Sequence, residues 1–306
     1  MISNAVIEAL RGFVPSENIH IQEPMKAHTT FRVGGPADCL VELENTEQLQ
    51  KVQHYLAQIE IPYVVLGNGS NVLVSDEGYP GIVLQIGERM NRIIVDGSCI
   101  IAQAGALLSQ VARIAMEQGL TGLEFASGIP GSVGGAVVMN AGAYGGEMKN
   151  VLHSVTVYAD GNVQTLSVDA LNLSYRHSIF MEHPDWIVLS ATFKLTHGDR
   201  EQILAQMGDL NARRREKQPL QYPSSGSFFK RPEGHFAGAL IEQSNLKGYT
   251  VGGAQVSQLH AGFIINIGNA TADDIYQLMK HVQKTVYETF SVELYPEVRL
   301  IGEFEK

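Results

Sequence analysis

Residues 63–74 read YVVLGNGSNVLV: four apolar positions, a glycine-asparagine loop, then a second apolar run. Their order decides between two folds. A dinucleotide-binding G-x-G-x-x-G unit needs a strand, a tight turn and a helix, with an acidic residue roughly twenty positions on. Here Gly67-Asn68-Gly69 is followed by Ser70-Asn71 and Val72-Leu73-Val74, which predicts a strand where that helix should begin. No GK[ST] follows, so a Walker A loop is excluded as well. What remains is a run whose backbone N–H groups can turn inward around an anion, because glycine permits close approach and positive φ. A second run, at 131–135, opens from GIPGSVGGAVVMNAGAYGG, residues 128–146. Two such runs suit a pyrophosphate. Several ligands carry that group, FAD among them, and spacing alone does not choose; the same glycines also serve as plain turns.

Working outward, 4–13 reads as a short helix and 37–43 as a strand. Thr46 then caps a helix with Leu49, Val52, Leu56 and Ile59 on one face. Asp96-Gly97 and Asp160-Gly161, each flanked by β-branched residues, announce two hairpins. Between them Leu108, Val111, Ala112 and Ala115 mark the inner face of a helix stopped by Gly119. A strand is expected over 187–196, and a polar helix over 199–217 whose Arg213-Arg214-Arg215 and Lys217 complement its negative end. Pro219 and Pro223 mark a break. A long helix carrying Ile275, Leu278, Met279, Val282 and Val286 follows, and a strand over 292–301 closes the chain. The pattern is α+β in two or three domains.

The chain has 306 residues, 44% of them hydrophobic, enough for more than one core. Its formal charge is −10, from 22 basic and 32 acidic residues, which argues against nucleic acid as a partner. Cys39 and Cys99 sit in apolar strand-like segments and read as core residues; with no CxxC or HExxH, no metal is expected. The N-terminal run is too polar for a signal peptide, and no stretch has membrane-spanning length, so a cytoplasmic protein is expected, with no membrane partner.

Seven segments in order carry a resemblance to a known family. They are Thr29-Thr30-Phe31-Arg32-Val33-Gly34-Gly35, Leu66 to Asn71, Gly128 to Gly135, Asn140-Ala141-Gly142-Ala143-Tyr144, Ser174-Tyr175-Arg176, Gly226-Ser227-Phe228-Phe229-Lys230, and Pro296-Glu297-Val298-Arg299. Each alone is weak. Together, across nearly the whole chain, the set resembles the UDP-N-acetylenolpyruvoylglucosamine reductases. The resemblance implies a vanillyl-alcohol-oxidase-type FAD-binding domain of two α+β subdomains plus a smaller α+β substrate domain. The expected divisions are 1–80 with 294–306, then 81–217, then 218–293. Arg176 is followed closely by the strand at Ile187, leaving no room for the tyrosine-bearing loop that one form of the family inserts. The chain is similar to the loop-less second form.

The resemblance also implies roles. Non-covalent FAD is held by Leu66, Gly67, Asn68, Gly69, Ser70 and Asn71, by Gly131, Ser132, Val133, Gly134 and Gly135, and by Asn140, Ala141 and Gly142. NADPH is the co-substrate, and UDP-N-acetylglucosamine enolpyruvate the acceptor. Arg176 offers a forked guanidinium to the substrate carboxylate. Glu297 helps the developing anion only if protonated, which requires a raised pKa. Ser227 matches the proton donor and needs hydrogen-bonded support. Tyr144, Lys217 and His260 are candidate substrate neighbours, and Arg231 stands where some relatives carry asparagine. A monomer or weak homo-oligomer is expected.

Two rival readings follow from the same residues. Another flavin oxidase or dehydrogenase of this fold would share the glycine loops, and its reduced flavin would reoxidise quickly in air. A non-redox nucleotide-sugar binding protein would explain the basic cluster and a phosphate cradle, and would hold no flavin.

Overall fold

A computed structural model describes residues 2–304; Met1, Glu305 and Lys306, at the ends of the expected segments 1–80 and 294–306, lie outside the described residues. Compactness divides the chain into two units. The first gathers Met1–His20, Cys39–Asn68 and Gly81–Arg214; the second gathers Ile21–Asp38, Gly69–Pro80 and Arg215–Lys306. The α-helices among the described residues are α1 Asn4–Arg11, α2 Thr46–Gln58, α3 Leu108–Glu117, α4 Val133–Val138, α5 Arg200–Lys217, α6 Ala237–Gln243 and α7 Ala272–Phe290.

The first unit is built on a five-stranded antiparallel sheet in the order Asn162–Ser167, Leu152–Ala159, Ile187–Lys194, Cys99–Gln103, Ile93–Asp96. Its side chains alternate with the period of two that a half-covered sheet requires. Ile100, Ala102, Val155, Val157, Ala191 and Phe193 are buried, whereas Ile94, Ile101 and Val163 are exposed. The helices α3 and α4 pack against this sheet. Both expected hairpins form, at Gly97-Ser98 and at Asp160-Gly161, where both turn residues have positive φ. Beside them Tyr63–Leu66 pairs in parallel with Tyr79–Gln85, Leu66 opposite Gln85.

The second unit has its own core. The antiparallel strands Thr250–Val251, Ala254–Val256 and Ile264–Asn266 lie against α7, whose Ile275, Leu278, Met279, Val282 and Val286 are all buried. Phe31, Leu73, Phe228 and Phe229 fill the rest, with the Phe31 and Phe228 rings 6.1 Å apart. The short strand Val72–Val74 pairs in parallel with Arg299–Ile301. A capping box starts α7: Thr271 Oγ1 accepts from Asp274 N at 3.0 Å, and Asp274 Oδ2 accepts from Thr271 N at 3.0 Å. Asp76 adds a second cap, its two carboxylate oxygens accepting from Ala272 N at 2.9 Å and Asp273 N at 2.8 Å.

Four local expectations need correction. The N-cap of α2 is Asn45, not Thr46: Asn45 has extended φ and ψ and its side chain accepts from Gln48 N. Ile59 caps that helix at its other end and is partly exposed instead of facing inward. The glycine run at 131–135 is not all loop, because Val133–Val138 forms α4. The closing strand shrinks to Arg299–Ile301, since 292–298 meets the fold through single contacts, a bridge from Pro296 to Phe229 among them. Proline has no N–H to extend a ladder there.

Candidate active site

In the first unit, strand Tyr63–Leu66 delivers the chain into Gly67 and Asn68, with Leu66 buried. Gly67 lies close to the second run: a Cβ there would fall 2.3 Å from the rotatable Ser132 Oγ, on the residue preceding α4. Asn68 Nδ2 donates to Pro130 O across the two glycine runs. The runs that sequence spacing paired are therefore neighbours in space. Gly134 N donates to Ala104 O at 2.8 Å and Val133 N to Ala106 O at 2.8 Å, which fixes the second run against the sheet.

Asn140, fully buried at φ +40°, organises the next stretch. Its Nδ2 donates to Glu147 Oε2 and to Ser174 O, both at 3.0 Å, and its Oδ1 accepts from Lys149 N at 2.9 Å. The Ser174 carbonyl belongs to a tight turn, in which Ser174 and His177 exchange backbone hydrogen bonds of 3.2 and 3.1 Å. Arg176 sits at the tip of that turn with φ +53°, half-buried. Its Nη2 lies 3.4 Å from Gly142 O, and its guanidinium carbon is 5.2 Å from the Tyr175 ring centre. Asn140, Gly142 and Arg176 thus converge. Between this turn and Ile187 there is a single 3-10 turn, Ile179–Met181, consistent with the absence of an inserted loop. Tyr144 is exposed at φ +52°. Burial pushes the pKa of Arg214 down, partly offset by Tyr144 nearby; its side chain packs on Gly128, where a Cβ would lie 2.9 Å from Arg214 Cδ. The sequence had marked Arg214 only as helix-end charge.

In the second unit, Gly69 has φ +60°, and a Cβ there would fall 1.9 Å from His28 O. Thr30 N donates to Gly69 O at 3.1 Å, while Thr30 Oγ1 is buried with no hydrogen-bond partner among the described residues. A backbone that excludes side chains, beside an orphaned hydroxyl, fits a phosphate-bearing ligand. Ser70 is half-buried.

The segments that carry Ser227 and Glu297 are joined by backbone pairing through Phe228 and Phe229. Ser227 bridges Phe263, Phe228 N donates to Gly262 O at 2.8 Å, and Glu297 N donates to Phe228 O at 2.8 Å. The segment 227–230 therefore lies between 262–263 and 295–297, with the buried Phe228 and Phe229 anchoring it. Ser227 is exposed and Glu297 half-buried. His260 Nδ1 accepts from Gly262 N at 3.1 Å, so that nitrogen carries no proton. Burial lowers the His260 pKa, and the neighbouring Lys247 charge adds to the effect. Lys217, the last residue of α5, is exposed. Arg231 stacks 4.0 Å from the Phe236 ring centre. Among the described residues no cluster of His, Cys, Asp and Glu could hold a metal ion, and no helix is long and apolar enough to cross a membrane.

Comparison with known proteins supplies the chemistry's context. The FAD binding domain family matches residues 37–167, and the C-terminal domain of UDP-N-acetylenolpyruvoylglucosamine reductase matches 218–301. The enzyme of that name from Caldanaerobacter subterraneus subsp. tengcongensis is 49% identical over 303 residues, covering 99% of this chain and 100% of the relative. The one from Clostridium perfringens strain SM101 is 50% identical over 294 residues, 96% of each chain. Among solved structures, the UDP-N-acetylenolpyruvylglucosamine reductase of Thermus caldophilus superposes with a TM-score of 0.79 at 38% identity, covering 93% of this chain and 98% of that one.

Proposed function

Because this chain belongs to the UDP-N-acetylenolpyruvoylglucosamine reductase family and carries its FAD binding domain, we propose that it reduces UDP-N-acetylglucosamine enolpyruvate to UDP-N-acetylmuramate with NADPH, in the cytoplasm, during peptidoglycan precursor synthesis. The observation that carries the reading is the pairing of the Ser227-bearing segment with the Glu297 segment in one unit and the approach of Arg176 to the Asn140–Gly142 segment in the other. These are the residues the reaction needs.

FAD, when bound, supplies the hydride that adds to the methylene carbon of the enolpyruvyl group. Residues 66–71 and 131–135 would hold its pyrophosphate, the Val133 and Gly134 N–H groups being already given to Ala106 O and Ala104 O, and the Thr30 hydroxyl beside Gly69 would add a donor. As the carbon–hydrogen bond forms, the double-bond electron pair moves onto the neighbouring carbon and its carboxylate. Arg176 would neutralise that carboxylate through its fork, and a protonated Glu297 would donate to the developing anion. Ser227 then gives its hydroxyl proton to the adjacent carbon, and its exposure lets water restore the proton. Lys217, Tyr144 and His260 serve the rest of the substrate. On this reading the functional divisions remain 1–80 with 294–306, 81–217 and 218–293.

The visible absorption spectrum of the purified protein, taken before and after denaturation, tests the cofactor half. A yellow protein releasing FAD supports it. A folded protein that stays colourless with added FAD would sink it and favour a non-redox nucleotide-sugar binding protein.

A further inference from the structure

Asn71 closes the glycine-asparagine loop and was grouped with the cofactor contacts, yet its side chain is directed elsewhere. Asn71 Nδ2 donates to the main-chain carbonyl of Glu297 at 3.1 Å, across 226 positions of sequence. Its own carbonyl accepts from Arg299 N at 3.0 Å, and the next residue opens the parallel pairing of Val72–Val74 with Arg299–Ile301. On the other flank of Glu297, its N–H is held by Phe228 O at 2.8 Å. The Glu297 peptide is thus gripped from both sides, by the serine-bearing segment and by Asn71.

We propose that Asn71 is a positioning residue: it fixes the backbone of Glu297 so that the carboxyl meets the substrate anion. The inference rests on the catalytic reading of Glu297 given above. The Asn71 side-chain amide supplies a donor to that carbonyl while its main chain keeps the ladder with Arg299. The N–H of Glu297 stays bonded to Phe228 O, so losing the Asn71 bond releases the carbonyl side and lets the peptide tilt about the remaining contact. A displacement of about 1 Å costs on the order of 10²-fold in a step that depends on geometry.

The test uses the FAD-loaded enzyme and the variants Asn71→Ala, Glu297→Gln and the double variant. Reduction of flavin by NADPH and its reoxidation by UDP-N-acetylglucosamine enolpyruvate are followed separately, the latter as a function of pH. Flavin affinity is measured by titration of the apoprotein. Asn71→Ala should slow reoxidation about 10-fold to 10²-fold more than it slows reduction. It should also shift the high-pH limb of reoxidation, where protonated Glu297 is lost. In the Glu297→Gln background it should have little further effect, because the two act as one unit. Equal slowing of both half-reactions with weakened flavin binding would overturn the proposal, as would additive losses in the double variant. An inert Glu297→Gln would instead remove Glu297 from catalysis, and the role of Asn71 with it.

Discussion

At the scale of single residues, a few side chains and the backbone that positions them carry the chemistry. Ser227→Ala should leave flavin reduction by nicotinamide in place and block substrate-dependent reoxidation; equal loss of both in a folded protein would contradict the proton-donor role. Asn140→Ala should destabilise the fold by about 1–3 kcal/mol, because it removes the three hydrogen bonds of a fully buried amide and leaves the Lys149 N–H without that acceptor. Urea unfolding measures that cost, and reoxidation should slow as the Arg176 turn loosens. His260 gives a pH signature. Its depressed pKa means the unfolded chain binds more protons, so stability falls as pH drops below about 6.5 and through the folded value. His260→Gln should flatten the fall in urea midpoint over that window; an unchanged slope would remove His260 as its source. At this scale the family motifs marked Arg176, Ser227 and Glu297 as candidates. The Asn71 bond to Glu297 was not legible, because it joins residues 226 apart and leaves no periodicity.

At the scale of elements, caps decide where helices begin, and two of them are open to test. Asn45→Ala should cost roughly 1 kcal/mol and Thr46→Ala less, since the side-chain bond to Gln48 N comes from Asn45. The reverse order would restore Thr46 as the cap. Asp76 accepts from the first two residues of α7 through a carboxylate, which also complements the positive helix end. Asp76→Asn or Asp76→Ala should cost about 1–2 kcal/mol in urea unfolding. Long periodic helices and both hairpins were readable, one turn falling at Gly97-Ser98, a residue beyond the expected Asp96-Gly97, because burial and turn chemistry both act locally. The helix α4 was hidden by glycine, whose weak propensity argues for loop. Its N–H groups bond Ala104 and Ala106 carbonyls on a distant strand end, a tertiary contact that local reading does not see. The closing strand failed for the opposite reason: apolar residues over 292–298 pack into a core without pairing in a sheet.

At the scale of the whole molecule, the two compact units are each assembled from three separated stretches, and the boundary at Asn68 and Gly69 cuts through the glycine loop itself. The resemblance of ordered motifs conveyed the α+β flavin fold, whereas the interleaving of stretches is a property of topology and not of any local pattern. The central claim is a reaction, and one measurement addresses it directly. The FAD-loaded protein is reduced anaerobically with one equivalent of NADPH, then mixed with UDP-N-acetylglucosamine enolpyruvate while flavin absorbance is followed. The account predicts rapid return of the oxidised flavin band with one UDP-N-acetylmuramate formed per flavin. A flavin that stays reduced until air is admitted, and then reoxidises quickly, would contradict the account and mark the protein as an oxidase of the same fold.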